Sequence, residues 1–296
     1  MTNLNKPIVA LEKSSGHFEG TLKALKHVEE KIATDLEGKR RVLIKPNFVS
    51  TSRQLAATHV DSVKAILQTI SRHYDGELTL GEGPALGSLE DAVKNFGYEP
   101  LIEEYGLKLV DLNKDRYVEL EGLDSKLEPM KFKVSKTLHN CDYLVSAAVP
   151  KTHDTVIVTL SIKNIVVGSL VTASEKQKIH QGYKAININI ARLSQRRMPD
   201  LAVVDGFVGM EGEGPEDGDP IPLRVSSASV YPVSLDSVMA KVMGFEPLDI
   251  GYLHHLDEWG AGVAKLSGVT VVGQTIAEVT RIFKPHSTYQ DQLNWR

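Results

Sequence analysis

The chain has 296 residues, 42% of them hydrophobic and 24% charged, with a net charge of −4. That balance suits a globular protein with a sizeable core and gives no broad footprint for nucleic acid. The single cysteine, Cys141, excludes a disulfide framework, a structural zinc knuckle and a cysteine-ligated iron–sulfur cluster; neither MTNLNKPIVALEKSSG nor any later run has the apolar length of a signal or a membrane span, so a cytoplasmic protein is expected.

Short β-branched runs alternate with amphipathic patterns along the chain. Pro7–Leu11 reads as a strand, and Thr21–Leu36 as a helix whose Leu22, Leu25, Val28, Ile32 and Leu36 share a face before Gly38 stops it. Strands are predicted at Arg41–Lys45, Glu77–Gly81, Leu107–Asp111, Asp142–Val149, Leu201–Asp205 and Val269–Val272. Helices are predicted at His59–Tyr74, Leu89–Phe96 and Ile188–Leu193. YVELEG and MKFKV read as a small β-hairpin insertion at 115–135, and Gly206–Pro222 is a Gly/Pro/acid loop too long for a plain connection. The pattern predicts an α/β fold, a mostly parallel sheet flanked by helices, with no assignable boundary inside a single 1–296 domain. The tail FKPHSTYQDQLNWR is polar around Trp295, and either packs on a partner subunit of a homo-oligomer or frays.

Ligands of open parallel sheets collect at the carboxyl ends of the strands. Four predicted strands end in polar groups followed by Gly or Pro: Lys45-Pro46-Asn47, Glu82 between two glycines, Lys151 with His153, and Asp205 followed by Glu211. For any one of them a solvated loop charge is the simpler explanation; four at one edge describe a site. VPKTHDTVIVTLSIKNIVVG, Val149–Gly168, sets Lys151, His153, Thr155, Thr159, Lys163 and Asn164 in apolar surroundings. Thr155, Thr159 and Lys163 share a face on a strand or on a helix, and the sequence leaves both open. A buried lysine wants an anionic partner, so two lysines with a histidine point to phosphate, carboxylate or enolate.

Downstream, His180 and Arg192 are further candidates for binding the anion, though a lone histidine is more often a surface residue. Asp205 and Glu211, with Glu82 and Asp236, are candidate oxygen ligands for a hard divalent cation. The acid-rich loop lacks EF-hand spacing, GEGPALG is not a dinucleotide fingerprint, and no serine-hydrolase elbow or zincin motif is present.

VLIKPNFVS, GEGP, VPKTHDTVIVTLSIKN..VG, PDLAVVDGFVGMEGEGPEDG and VSLDSVMAKVMGF resemble, in that order, the family known as domain of unknown function 362. The resemblance runs from Lys45 to Gly244, about two thirds of the chain, and implies a site around Lys151, His153, Lys163, Asn164, Asp205 and Glu211. Many members carry a ferredoxin-like module; with one cysteine, this chain departs from that pattern. A weaker likeness, of arrangement alone, is to lactate racemases of the nickel-pincer type.

The preferred expectation is an enzyme for a small anionic substrate. Lys151 and Lys163, catalytic candidates together with His153, would bind the anion with Arg192, and Thr155 and His180 would lie beside it. His153 would be the general acid or base, and Asn47 and Asn164 orienting donors. Glu82, Asp205 and Glu211 would hold a divalent metal. The alternatives are a carrier module holding an anionic cofactor without chemistry and, more remotely, a lactate-racemase-like isomerase.

Overall fold

The computed structural model describes residues 6–296; Met1–Asn5, the start of the stretch read above for a signal, lie outside them. The strands are β1 (Ile8–Lys13), β2 (Val42–Lys45), β3 (Leu78–Glu82), β4 (Lys108–Asp111), β5 (Tyr117–Leu123), β6 (Pro129–Ser135) and β7 (Tyr143–Ala148). They continue with β8 (Lys151–His153), β9 (Ile157–Thr159), β10 (Leu201–Gly206), β11 (Gly209–Glu211), β12 (Asp219–Ile221), β13 (Val225–Ser229) and β14 (Thr270–Gly273). Eight of them form one sheet in the order β14-β1-β13-β10-β7-β2-β3-β4, parallel throughout except for β13.

The α/β expectation therefore holds, and the apolar runs explain it: β2, β7 and β10 are buried along their whole length, as strands covered on both faces must be. One core layer centres on Val63, Ile66 and Ile70, the other on Ile162, Ile190 and Met239. β13 escaped the sequence reading because VSSAS is small and polar. Its serines are buried against β1, where Ser227 Oγ donates to Ala10 O at 2.7 Å and Ser229 Oγ to Ile8 O at 2.6 Å.

Three further expectations are refined. The predicted helix Thr21–Leu36 is two helices, His17–Lys26 and Glu29–Leu36, broken at His27, whose ring reaches Glu12 at 2.7 Å. The predicted hairpin insertion is the two-stranded ribbon β5–β6. The long acidic loop is not structureless: it carries β11 and β12, which join β8 and β9 in a second, four-stranded sheet. The C-terminal tail docks on its own chain, with Trp295 buried and its Nε1 donating to Asp249 O at 2.6 Å. No helix among the described residues is long and apolar enough to cross a membrane.

The order of connections places the site. From β2 the chain steps through β3 to β4; from β7, on the other side of β2, it steps the opposite way to β10. The crevice between the carboxyl ends of β2 and β7 is thus the topological switch point, where ligands of such sheets bind.

Candidate functional site

Lys45 ends β2 directly at that crevice. Its ammonium is fully buried and has three partners: Glu82 Oε2 at 2.7 Å, Asn164 Oδ1 at 2.9 Å and Pro46 O at 2.9 Å. Burial pushes the ammonium below its ordinary value and the Glu82 carboxyl above its own, while each charge pulls the other back. The Lys45 stem runs so close over Gly168 that a Cβ there would overlap it. Asn164 ties the group together, its Nδ2 donating to Ser146 Oγ at 3.1 Å while its Oδ1 accepts from Asn47 Nδ2 at 3.1 Å.

The VPKTHDTVIVTLSIKNIVVG segment resolves into both of the forms left open by its sequence. β8 and β9 make a tight hairpin, and the helix Ser161–Gly168 follows. Asp236 caps that helix, accepting from Ser161 N at 2.9 Å and Ile162 N at 3.0 Å; burial raises its pKa to about 7. Ile157 holds φ +66°, a costly conformation for a β-branched residue. The hairpin is clamped there by Gln292 from the tail, which accepts from Ile157 N and donates to His153 O at 2.8 Å.

This hairpin and helix bring His153 and Lys163 together: Lys163 Nζ lies 2.6 Å from His153 Nε2, both side chains buried. On its other side His153 Nδ1 meets Asp154 Oδ1 at 2.9 Å and the Thr155 hydroxyl at 3.1 Å. Nδ1 faces two opposite demands, the Asp154 carboxylate, which needs a proton there, and the Thr155 N–H, which donates to it at 3.1 Å; with the proton on Nδ1, Nε2 accepts from the ammonium. Burial, with the Lys163 charge, lowers the imidazole pKa to about 3, and burial lowers Lys163 to about 8. Lys163 makes no salt bridge among the described residues.

Lys163, His153, Lys45, Asn47 and Glu82 line one cavity of about 280 Å³. One member was missed by sequence reasoning. Lys176 is buried, held by Leu170 O at 2.6 Å and by Asn113, and burial lowers its pKa to about 8. The Thr159 hydroxyl is buried in the same wall without any hydrogen-bond partner. Lys176 sits in the unremarkable SEKQK, and only the three-dimensional path of its helix brings it in. A larger concavity of about 610 Å³ at the opposite sheet edge, around Tyr143, Pro199 and Tyr231, holds no such cluster of buried charges.

The remaining expected residues separate. Lys151 is buried behind the cavity, its Nζ donating to Asn47 Oδ1 at 2.5 Å and Ala56 O at 2.9 Å, and burial drives its pKa well down. Thr155 acts on His153 rather than facing the cavity. His180 stands at the exposed mouth, its Nδ1 donating to Lys176 O at 2.9 Å. Arg192 is exposed on the helix Tyr183–Arg196 and lines no part of the cavity. Glu82, Asp205 and Glu211 are not brought together: Glu82 is bound to Lys45, Asp205 to His17 at 2.6 Å, and Glu211 accepts from Lys284 N at 2.8 Å. Asp236 is committed to its helix cap. Among the described residues no group of three or more His, Cys, Asp or Glu is placed to hold a metal ion. The expected single cleft joining Lys163 to Asp205 is therefore corrected; the two line separate cavities.

Comparison with known proteins bears on the fold and the family. The solved lactate racemase apoprotein from Thermoanaerobacterium thermosaccharolyticum superposes with a TM-score of 0.53 at 14% identity, covering 78% of this chain and 55% of that one. The resemblance is one of fold. A Thermotoga maritima structural-genomics protein is more distant, at 16% identity and TM-score 0.41 over 66% of this chain and 53% of its own. The thylakoid-associated protein sll1697 of Synechocystis sp. is 26% identical over 214 residues, 71% of this chain and 65% of that protein's length. Residues 42–241, which carry β2, β3, the Lys163 helix and Asp236, match the family described as domain of unknown function (DUF362), and the chain belongs to that family.

Proposed function

We propose that the cavity binds a small anionic substrate and that Lys163 exchanges a proton with it. The observation carrying this is that the Lys163 ammonium is buried with one hydrogen-bond partner, an imidazole, and forms no direct salt bridge, the Asp154 carboxylate that acts on it being held on the other side of that ring. An isolated buried charge is costly, and a bound anion relieves the cost. An ammonium has three N–H groups; His153 engages one of those of Lys163, and Lys176 uses two of its own. Two donors on Lys163, one on Lys176 and the Thr159 hydroxyl thus remain for the oxygens of a carboxylate or phosphate.

The division of labour differs from the one expected of the sequence. His153, held neutral, positions Lys163. Lys163, with a pKa of about 8, titrates near working pH and suits a general acid or base. No step is assigned to a metal, because the three carboxylates do not converge.

Titration calorimetry with inorganic phosphate, oxalate and lactate tests the binding. At least one of these should bind, and Lys163→Met should weaken it at least tenfold; equal affinity in the variant overturns the proposal. Catalysis separates from carriage by solvent deuterium uptake at C2 of lactate, the one of the three anions with a carbon-bound hydrogen beside its carboxylate, followed by proton NMR. Exchange that is lost in His153→Gln while binding persists marks an enzyme; binding with no exchange even in the native chain marks a carrier. Interconversion of lactate enantiomers is the outcome that would favour the isomerase reading.

A further inference from the structure

A second cavity, of about 230 Å³, opens at the same sheet edge and is lined by His17, His59, Asp205 and Gln54. The two cavities share a partition, the segment from Pro46 to Thr58: Asn47 and Phe48 face the first, Leu55 and Ala57 the second. Lys151 braces the partition from within through Asn47 and Ala56. His17 lies outside residues 42–241, and no reading of the sequence singled it out.

The hydrogen bonds fix the chemistry of this cavity. Asp205 is buried at the end of β10, with Oδ1 accepting from Phe207 N at 3.1 Å and Oδ2 2.6 Å from His17 Nδ1. A carboxylate only accepts, so His17 carries a proton on Nδ1, and in the neutral ring Nε2 is the bare nitrogen. Among the described residues His17 Nε2 has no hydrogen-bond partner. His59 lies flat on His17, ring centroids 3.9 Å apart and planes 3° from parallel. His59 Nδ1 accepts from Asp61 N at 3.2 Å, which leaves its proton on Nε2. Burial lowers the His59 pKa, which favours the neutral ring. The stacked rings therefore offer one acceptor and one donor.

No lysine or arginine lines this cavity, and Leu55, Ala57, Val149 and Val208 make its walls apolar. We propose that it is a second ligand site, taking a small uncharged molecule whose hydroxyl group donates to His17 Nε2 and accepts from His59 Nε2. Asp205 is the positioning residue that keeps the bare nitrogen of His17 turned to the ligand. The site stands independently of what Lys163 does.

Diethyl pyrocarbonate, small and uncharged, acylates bare imidazole nitrogens and reports the site by peptide mass spectrometry of the full chain. His17 should react at least tenfold faster than the exposed His73. Propane-1,2-diol should slow His17 saturably and leave His73 unaffected, while inorganic phosphate should protect neither. Asp205→Asn should lower the His17 rate at least tenfold, and His59→Phe, which keeps a ring against His17, should keep the reactivity and lose the protection. An unreactive His17, or diol protection that survives His59→Phe, overturns the proposal. Because Asp205→Asn removes a buried carboxylate, circular dichroism establishes that it folds; should it not fold, the His59→Phe result decides.

Discussion

Lys45 and Lys163 sit at the same sheet edge, line the same cavity and are both buried, yet they are not equivalent. Lys45 spends all three N–H groups on protein acceptors, one of them a carboxylate. Lys163 spends one, on an imidazole. A charge matched inside the fold serves architecture, fixing β2, β3 and the Lys163 helix relative to one another. A charge left unmatched inside the fold is explained by something outside it. Burial alone is therefore a poor guide to a functional lysine; the count of acceptors around it is the better one.

The sharpest way to break this contrast is to remove the partner of the matched lysine. Glu82→Gln strands the Lys45 ammonium in the interior and should cost about 3–5 kcal/mol in urea unfolding. A loss under about 1 kcal/mol would mean that Lys45 is already neutral and that the pair is no anchor.

Lys163→Met should act in the opposite direction, because it removes a charge the fold leaves unpaired. The folded pKa is about 8 against an ordinary 10.5. Below about pH 8 both folded and unfolded chains carry the proton, and the burial penalty is present in full. Between about 8 and 10.5 the unfolded chain binds more protons, so the native chain gains stability as pH rises through that window. Lys163→Met should thus be more stable than the native chain at pH 7, by at most about 3 kcal/mol, and the gap should close by pH 10.5. Lys176 is common to both chains and cancels, whereas removing the Lys163 charge also relieves the repulsion on Lys151 and acts in the same direction. A gap that widens with pH would show Lys163 to be stabilised as a cation.

Two buried threonines repeat the contrast on a smaller scale. Thr58 Oγ1 donates to Ala147 O at 2.7 Å and accepts from Asn47 N at 2.8 Å, whereas Thr159 Oγ1 has no partner. Thr58→Val should cost about 1–3 kcal/mol; Thr159→Val should be neutral or stabilising by about 1 kcal/mol. If the lone hydroxyl serves the ligand, the Thr159 variant should also bind its anion about tenfold more weakly, the effect of one hydrogen bond to a charged group. Unchanged affinity would place the anion elsewhere in the cavity.

How much of this was legible in the sequence follows from what periodicity can encode. The parallel strands were readable because buried parallel strands are continuous apolar runs, and β5–β6 because hairpin strands alternate. The meeting of His153 with Lys163 was implied by polar residues inside an apolar stretch. The partner of each charge was not readable. Glu82 and Asp205 looked alike as strand-end carboxylates, yet one faces a lysine and the other a histidine from a distant helix. Lys176 carries no local signal at all, and Asp236, read as a cation ligand, proved to be a helix cap. Side-chain pairing across a sheet edge is set by packing of the whole chain, and spacing along the sequence does not encode it.

Arg192 is the smallest test and the cleanest control on that point. By composition it belonged with the anion-binding lysines, since a guanidinium is the usual fork for a carboxylate. In the fold it is solvent-exposed on the helix Tyr183–Arg196 and lines no part of the cavity. Arg192→Ala should change stability by no more than about 0.5 kcal/mol, as surface substitutions do. Its phosphate isotherm should match that of the native chain at the same ionic strength, while Lys163→Met loses the binding. If Arg192→Ala instead weakened the anion as much as Lys163→Met, long-range surface charge rather than the buried ammonium would account for the attraction, and raising salt should then abolish it in the native chain. A buried, desolvated contact should persist at the same salt concentration, because screening reaches exposed charges far more than enclosed ones.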